Sequence, residues 1–288
     1  MVEGGFGATE LIPSWIAHTP GDSHVLVEVR GRETPWYRLG DWAFDDRTSI
    51  GGQEDSHGRV DADTFKASGP LSGWQVRITR IGPALVDNVY LLASGPFAQP
   101  PPSEPVRACG VVLDVPRYAQ LLHDGGDSLC SPTSTAMVLA YWGVPADVAH
   151  AAKHTYDREY DGCGNWPFNT AYAGHFGVEA FVTRLRSLRE AELFIEARIP
   201  LVVSASYRDG EVPGLGYQTD GHLMVLAGFT EAGDPVLNDP YAGSNDAVRK
   251  SVGRAEWEAA WQGTSGGITY VIHPTSVPLP PAPAQANW

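Results

Sequence analysis

Cysteine is scarce in this chain: Cys109, Cys130 and Cys163 are the only three among 288 residues. That excludes the disulfide framework of a small secreted domain. If Cys130 is a reactive thiol, Cys109 and Cys163 are left as one conceivable pair. Long hydrophobic runs are also missing. The longest, near Leu201 and Leu223, are strand-sized, so no membrane span is expected. Positive charge is short: 20 Lys and Arg stand against 34 Asp and Glu, a net charge of −14. Nucleic acid and anionic membranes are therefore excluded as partners. No Lys or Arg occurs before Arg30, so this sequence carries no basic signal-peptide start. No ligand spacing calls for a metal or a cofactor, and nothing sets an oligomeric state. The acidic stretch from Gly52 to Asp63 lacks the spacing and closing Glu of an EF-hand, and its expected form is a solvated loop.

What is abundant points to packed structure. Hydrophobic residues make up 43% of the chain, with 9 Trp, 11 Tyr and 9 Phe, which argues against disorder. The 32 Gly and 23 Pro imply many turns and much β structure. An α+β fold in two domains is expected. Residues 1–94 read as an antiparallel β-sandwich, with strands at His24–Arg30, Trp36–Gly40, Trp74–Arg80 and Val86–Leu92. Its aromatics Trp36, Trp42 and Trp74 are candidates for the core. Residues 95–105 hold five prolines and read as a semi-rigid linker. Residues 106–274 mix helices with buried strands, and 275–288 form a Pro-rich tail. Within 106–274, helices are expected at Pro145–Lys153, around Thr170–His175, and from a Ser187–Glu190 capping box to about Arg198. Strands are expected at Phe181–Arg184, Leu201–Tyr207, His222–Phe229, Val236–Asp239 and Ile268–His273. Trp257 and Trp261, four apart, should cover one helix face.

The chemistry centres on Cys130. Cys130-Ser131-Pro132 opens a stretch that stays apolar through Trp142 until Gly143 stops it, the pattern of a buried helix. Pro132 suits a first helical turn, where a missing N–H costs nothing. A cysteine there meets unpaired N–H groups and the positive end of the helix dipole, both of which favour a thiolate. A cysteine nucleophile needs a base. Of nine histidines, His222 stands apart, at the rim of the apolar run Leu223–Phe229, where an imidazole is both rigid and accessible. The turn at Gly233-Asp234-Pro235 brings the chain back antiparallel. If paired positions add to an odd number such as 463, Asp239 shares the face of His222; if they add to 464, Asn238 does. Charge favours Asp239. An oxyanion would find the Cys130 backbone N–H and, from an extended segment upstream, the amide of Gln120.

Val115-Pro116-x-Tyr118-x-Gln120, the Cys130-to-Met137 block, Gly221-His222 and Asn238-Asp239-Pro240 together resemble the cysteine peptidases related to bacteriocin double-glycine leader peptidases. These are papain-like in fold. The resemblance covers about residues 112–273. It implies a peptide or protein substrate, with Cys130 as nucleophile, His222 as base, Asp239 as orienting acid and Gln120 as oxyanion donor. The loop from Gly164 to Asn169 and the β-rich front half look like a bacterial, often secreted branch of that family. Trp166, Asn165 and Gly221 are accordingly expected in substrate binding. No transporter segment follows, so export-coupled leader cleavage is not expected, and Leu129 stands where that branch often has an aromatic residue. The expected reaction is amide hydrolysis through a thioester. The same three residues would also serve an acyl transferase of transglutaminase or peptide-cyclase type. A non-catalytic cell-wall or carbohydrate binder is the alternative of another class.

Overall fold

The computed structural model describes residues 1–96 and 99–288. Phe97 and Ala98, near the start of the expected linker, lie outside the described residues. The chain divides into two compact units, Met1–Phe97 with Lys153–Val182, and Ala98–Ala152 with Thr183–Trp288.

The first unit is built on an antiparallel sheet of eight strands: β1 (Val2–His18), β2 (His24–Gly31), β3 (Tyr37–Trp42), β4 (Arg47–Thr48), β5 (Glu54–Asp55), β6 (Gly58–Asp61), β7 (Thr64–Ile81) and β8 (Leu85–Ser94). Their order is β4-β3-β2-β7-β1-β8, with β6 added beside β7 and β5 beside β6. All eight belong to one hydrogen-bonded antiparallel sheet. The reason lies in β1 and β7, which are 17 and 18 residues long. β1 pairs with β7 through its first half and with β8 through its second. Register slips on either side of Ala8 let one strand serve both ends. β1 itself escapes a sequence reading because residues 11–17 are buried without interruption, so no alternation marks it. The acidic stretch is partly structured: β5 and β6 form a hairpin inside it, and Asp63 is buried.

Two apolar clusters hold this unit. Leu11, Val29, Tyr37, Phe65 and Trp74 form one; Trp15, Val25, Val27 and Trp42 form the other. Phe168 and Ala171 join the second cluster from α3 (Trp166–Gly174), which explains why residues 153–182 belong here and not with the rest of the expected 106–274 domain. α3 starts four residues before the expected Thr170. Asn165 caps it, accepting from the Phe168 N–H at 3.1 Å, and Pro167 occupies its first turn.

The second unit contains a six-stranded sheet in the order β13-β12-β11-β10-β14-β9. These strands are β9 (Glu179–Arg184), on which the chain returns to this unit, β10 (Leu201–Tyr207), β11 (Thr219–Phe229), β12 (Pro235–Asn238), β13 (Arg249–Ser251) and β14 (Ile268–His273). Helix α1 (Cys130–Tyr141) packs on β11 and β10, and α5 (Arg254–Ser265) packs on β10. Trp257 and Trp261 are fully buried on α5. α2 (Val148–Thr155) starts after Asp147, whose carboxylate takes the His150 N–H at 2.7 Å. α4 (Leu188–Glu196) forms where expected without the capping box: Ser187 makes no side-chain cap, and Glu190 accepts from the Arg186 N–H instead.

The proline-rich stretch is not a free spacer along its whole length. Ser103 donates from its N–H and hydroxyl to Glu258, and the Val106 and Arg107 N–H groups donate to Glu192. Arg254 bonds the Ser103 carbonyl and pairs with Glu192 at 2.8 Å. The tail is also engaged, with Asn287 bonded to Arg184 and Glu190 and Trp288 packed edge-on against Phe194. Among the described residues no helix is long and apolar enough to cross a membrane.

Candidate active site

Cys130 is the first residue of α1, and every residue from Ser131 to Leu139 is buried. A helix buried on all sides is a core helix, so its start is fixed by everything around it. Two hydroxyls tie it down further: Ser131 bonds Tyr270 at 3.0 Å, and Ser134 donates to the Leu223 carbonyl of β11 at 3.0 Å. The second of these ties the helix that starts at Cys130 to the strand that carries His222. The Cys130 sulfur is hydrogen-bonded by His222 and by the backbone N–H groups of Ser131 and Leu223. Burial alone would push this thiol up. The bond to His222, its charge and the two N–H donors outweigh burial and hold it below the usual thiol range.

His222 is buried near the start of β11, and its Nε2 lies 2.8 Å from Asp239 Oδ1. That leaves Nδ1 as the nitrogen toward the thiol. Register decides which residue backs the imidazole. Val225 pairs with Asn238 and Leu226 with Leu237, positions adding to 463; beyond a bulge at Ala227 the pairing shifts, so that Gly228 faces Val236. The frame nearest the site therefore turns Asp239 toward His222 and Asn238 to the other face. Burial would lower the His222 pKa, but its bonds to Asp239 and Cys130 raise it to about 9. Burial would raise that of Asp239; His222 and then Lys250 hold it below the usual carboxylate range.

A buried imidazole held between a thiol and a carboxylate can take the thiol proton and hold the resulting charge, which makes the thiol a candidate nucleophile. The Peptidase_C39 like family matches residues 112–268, more than half of the chain, and the Peptidase C39 N-terminal domain matches residues 1–84. The chain belongs to the Peptidase_C39 like family. No curated protein and no solved structure gives a significant match.

The remaining expected residues of this C39-like chain separate into two groups. Gln120 is buried, not extended, at the start of a short 3₁₀ turn (Gln120–Leu122), and its Nε2 donates to the Gly126 carbonyl at 2.6 Å. One amide hydrogen remains for another acceptor. Its backbone is clamped from both sides: the Gln120 N–H bonds the Pro240 carbonyl, and the Ala119 N–H bonds Asn245. Asn238, on the opposite face from Asp239, donates to the carbonyls of Val115 and Pro116 and accepts from Arg249. The dipeptide Asn238-Asp239 thus holds the segment leading to Gln120 with one side chain and the imidazole with the other. Gly221 is exposed beside His222, with open space around its α-carbon. Asn165 and Trp166 belong to the first unit. There the Asn165 side chain caps α3 and donates to the buried Asp157 at 3.0 Å. Trp166 is half-buried at the start of that helix, its N–H bonded to Asp63. No disulfide joins the cysteines: Cys109 is exposed and Cys163 buried. Among the described residues no group of three or more His, Cys, Asp or Glu is arranged to hold a metal.

Lys250 was not singled out in the sequence, yet its Nζ lies 2.7 Å from Asp239 Oδ2. Tyr217 and Tyr241 also flank His222, with ring centroids at 5.8 and 6.4 Å. The pairing of Leu237 with Lys250 puts the lysine on the Asp239 face. That pairing is a tertiary fact, and no local pattern in β13 announces it.

Proposed function

We propose that this chain is a cysteine peptidase that hydrolyses an amide bond through a thioester on Cys130. One observation carries the reading: the buried imidazole of His222 is hydrogen-bonded to both Cys130 and Asp239. In this mechanism the Cys130 thiolate attacks the substrate carbonyl and forms a C–S bond. The oxyanion that develops is received by the remaining Gln120 amide hydrogen and the Cys130 N–H, which at a first helical position has no intrahelical partner. The His222 imidazolium then gives its proton to the departing amine as the C–N bond breaks. In the second half His222 takes a proton from water, the hydroxide attacks the thioester, and the C–S bond breaks to release the acid and the thiolate. Asp239 keeps the imidazole oriented and stabilises its charged form throughout.

The test is to incubate the protein with a mixed peptide library at mildly acid pH, quench it, and locate acyl adducts by mass spectrometry. A thioester on Cys130 that is absent from Cys130→Ala supports the reading and identifies the acyl fragment. Failure to acylate Cys130, together with iodoacetamide labelling of Cys130 no faster than of Cys109, would sink it.

A further inference from the structure

Asp239 is fully buried and carries two cationic partners, one on each oxygen. His222 takes Oδ1 at 2.8 Å, and Lys250 takes Oδ2 at 2.7 Å with 22% of its side chain exposed. The Tyr241 N–H adds a third bond, to Oδ1, at 2.9 Å. Resting on the catalytic reading above, we propose that Lys250 is a positioning residue of this site: its ammonium locks the second oxygen of Asp239 and its charge sets the proton affinity of His222.

The geometry separates two effects. A carboxylate held at one oxygen can rotate about its own C–C bond; held at both, it offers Oδ1 to His222 in one orientation. The charge acts in addition. A cation close to a titrating imidazole makes the imidazolium less favourable, so removing the cation raises the imidazole pKa. Among the described residues, the groups shown against His222 are Cys130 from α1, Tyr217 from the connection before β11, and Asp239 and Tyr241, with Tyr207 of β10 behind Tyr217. Lys250 supplies the positive charge that balances Asp239 at the oxygen His222 does not use, its Nζ lying 5.6 Å from the Tyr217 ring centroid. Arg208 and Asp220, both exposed, are engaged with each other at 2.8 Å. With Lys250 in place the Asp239–Lys250 pair is neutral, and the thiolate–imidazolium pair forms beside it without excess charge. Without Lys250 the site carries one uncompensated negative charge, and His222 holds its proton more tightly. His222 has to return that proton to a leaving amine, so its affinity must not climb far above 9.

The experiment follows the His222 imidazole by NMR across pH in the full chain, its signal assigned by loss in His222→Ala. Wild type is compared with Lys250→Met, Lys250→Gln and Lys250→Arg. Lys250→Met should raise the His222 pKa by about one unit. Lys250→Gln, which keeps a donor to Oδ2 without the charge, should do the same, and Lys250→Arg should stay within a few tenths of wild type. A purely structural lysine would leave the titration where it is. An unchanged His222 pKa in either neutral variant overturns the proposal, and the glutamine variant carries the comparison if the methionine variant fails to fold. Iodoacetamide rates at Cys130 are measured in parallel. A wild-type Cys130 no more reactive than Cys109 defeats the catalytic reading, whereas a reactive Cys130 with an unmoved His222 defeats only the role of Lys250.

Discussion

Gly228→Ala adds one methyl group to β11, and it should cost about 3–5 kcal/mol of stability. A β-carbon at position 228 would sit 2.2 Å from the Val111 carbonyl oxygen and 2.6 Å from the Val112 α-carbon. Ordinary contact begins near 3.4 Å, so more than an ångström must be found, and both neighbours are backbone. That backbone is fastened beside Gly228: Leu113 N–H bonds the Ala227 carbonyl at 2.8 Å, and Phe229 N–H bonds the Val111 carbonyl at 2.9 Å. Moving the 111–113 segment away breaks at least these two bonds. Each is worth about 1 kcal/mol net, and the buried Phe229 N–H left without a partner adds about 1–3. The same segment continues through Val115 to Gln120, so peptide hydrolysis should fall with stability. The measurement is urea unfolding followed by circular dichroism, with Gly221→Ala as the control. Gly221 lies on the same strand with nothing within 4 Å of an added β-carbon, and its variant should stay within about 0.5 kcal/mol of wild type. If Gly228→Ala loses less than 1 kcal/mol, the close approach of residues 111–113 to β11 is not what holds that segment.

Asp239→Asn removes the charge that favours the His222 imidazolium and leaves Lys250 unbalanced. Iodoacetamide labelling of Cys130 at pH 6.5 should slow by about tenfold or more, the equivalent of one pKa unit or about 1.4 kcal/mol, and an unchanged rate would refute the assigned pairing. Arg254→Met strips the ion-pair partner from Glu192, which has no exposed side-chain area and keeps, among the described residues, only the Val106 and Arg107 N–H bonds. Breaking a buried pair in this way should cost about 3–5 kcal/mol in urea unfolding; Glu192→Gln combined with Arg254→Met should recover part of that loss. Asp63 is held up to about 6, chiefly by burial, against the opposing bonds from the Trp166 N–H and the Thr64 hydroxyl. A carboxyl raised on folding contributes stability below its unfolded pKa and loses it as pH rises through the folded one. Between pH 4 and pH 7 the wild type should therefore lose about 2 kcal/mol relative to Asp63→Asn, and parallel pH profiles of unfolding would contradict this.

Much of the second unit is legible in its sequence. β10 and β14 fall on Leu201–Tyr207 and Ile268–His273 as expected, because short apolar runs bounded by turns have one natural reading. Cys130 stands out for a similar reason, since Pro132 and the apolar run from Ala136 onward mark where this buried helix starts. The choice between Asn238 and Asp239 was left open on grounds of register alone, and a bulge at Ala227 fixes it. No residue-level pattern announces that bulge, because the 111–113 segment that presses on it comes from more than a hundred residues earlier. The start of α3 carries a local signal inside what looks like an irregular Gly- and Asn-rich loop: Asn165 and Pro167 are a cap and a first-turn proline. β1 was not legible, since burial on both faces erases the alternation that would reveal it. Lys250 belongs to the same class as the bulge, a neighbour supplied by strand pairing.

The bulge makes Ala227 silent as a side chain and decisive as a spacer. By standing outside the ladder it shifts the parity of everything between it and His222. Were Ala227 to enter the pairing, the frame would slip by one and Asn238 would come round behind the imidazole, bringing Arg249 in place of Lys250. An acid-backed histidine would become an amide-backed one with no change of sequence near the nucleophile. In this fold the kind of group behind the base is a counting property of one strand.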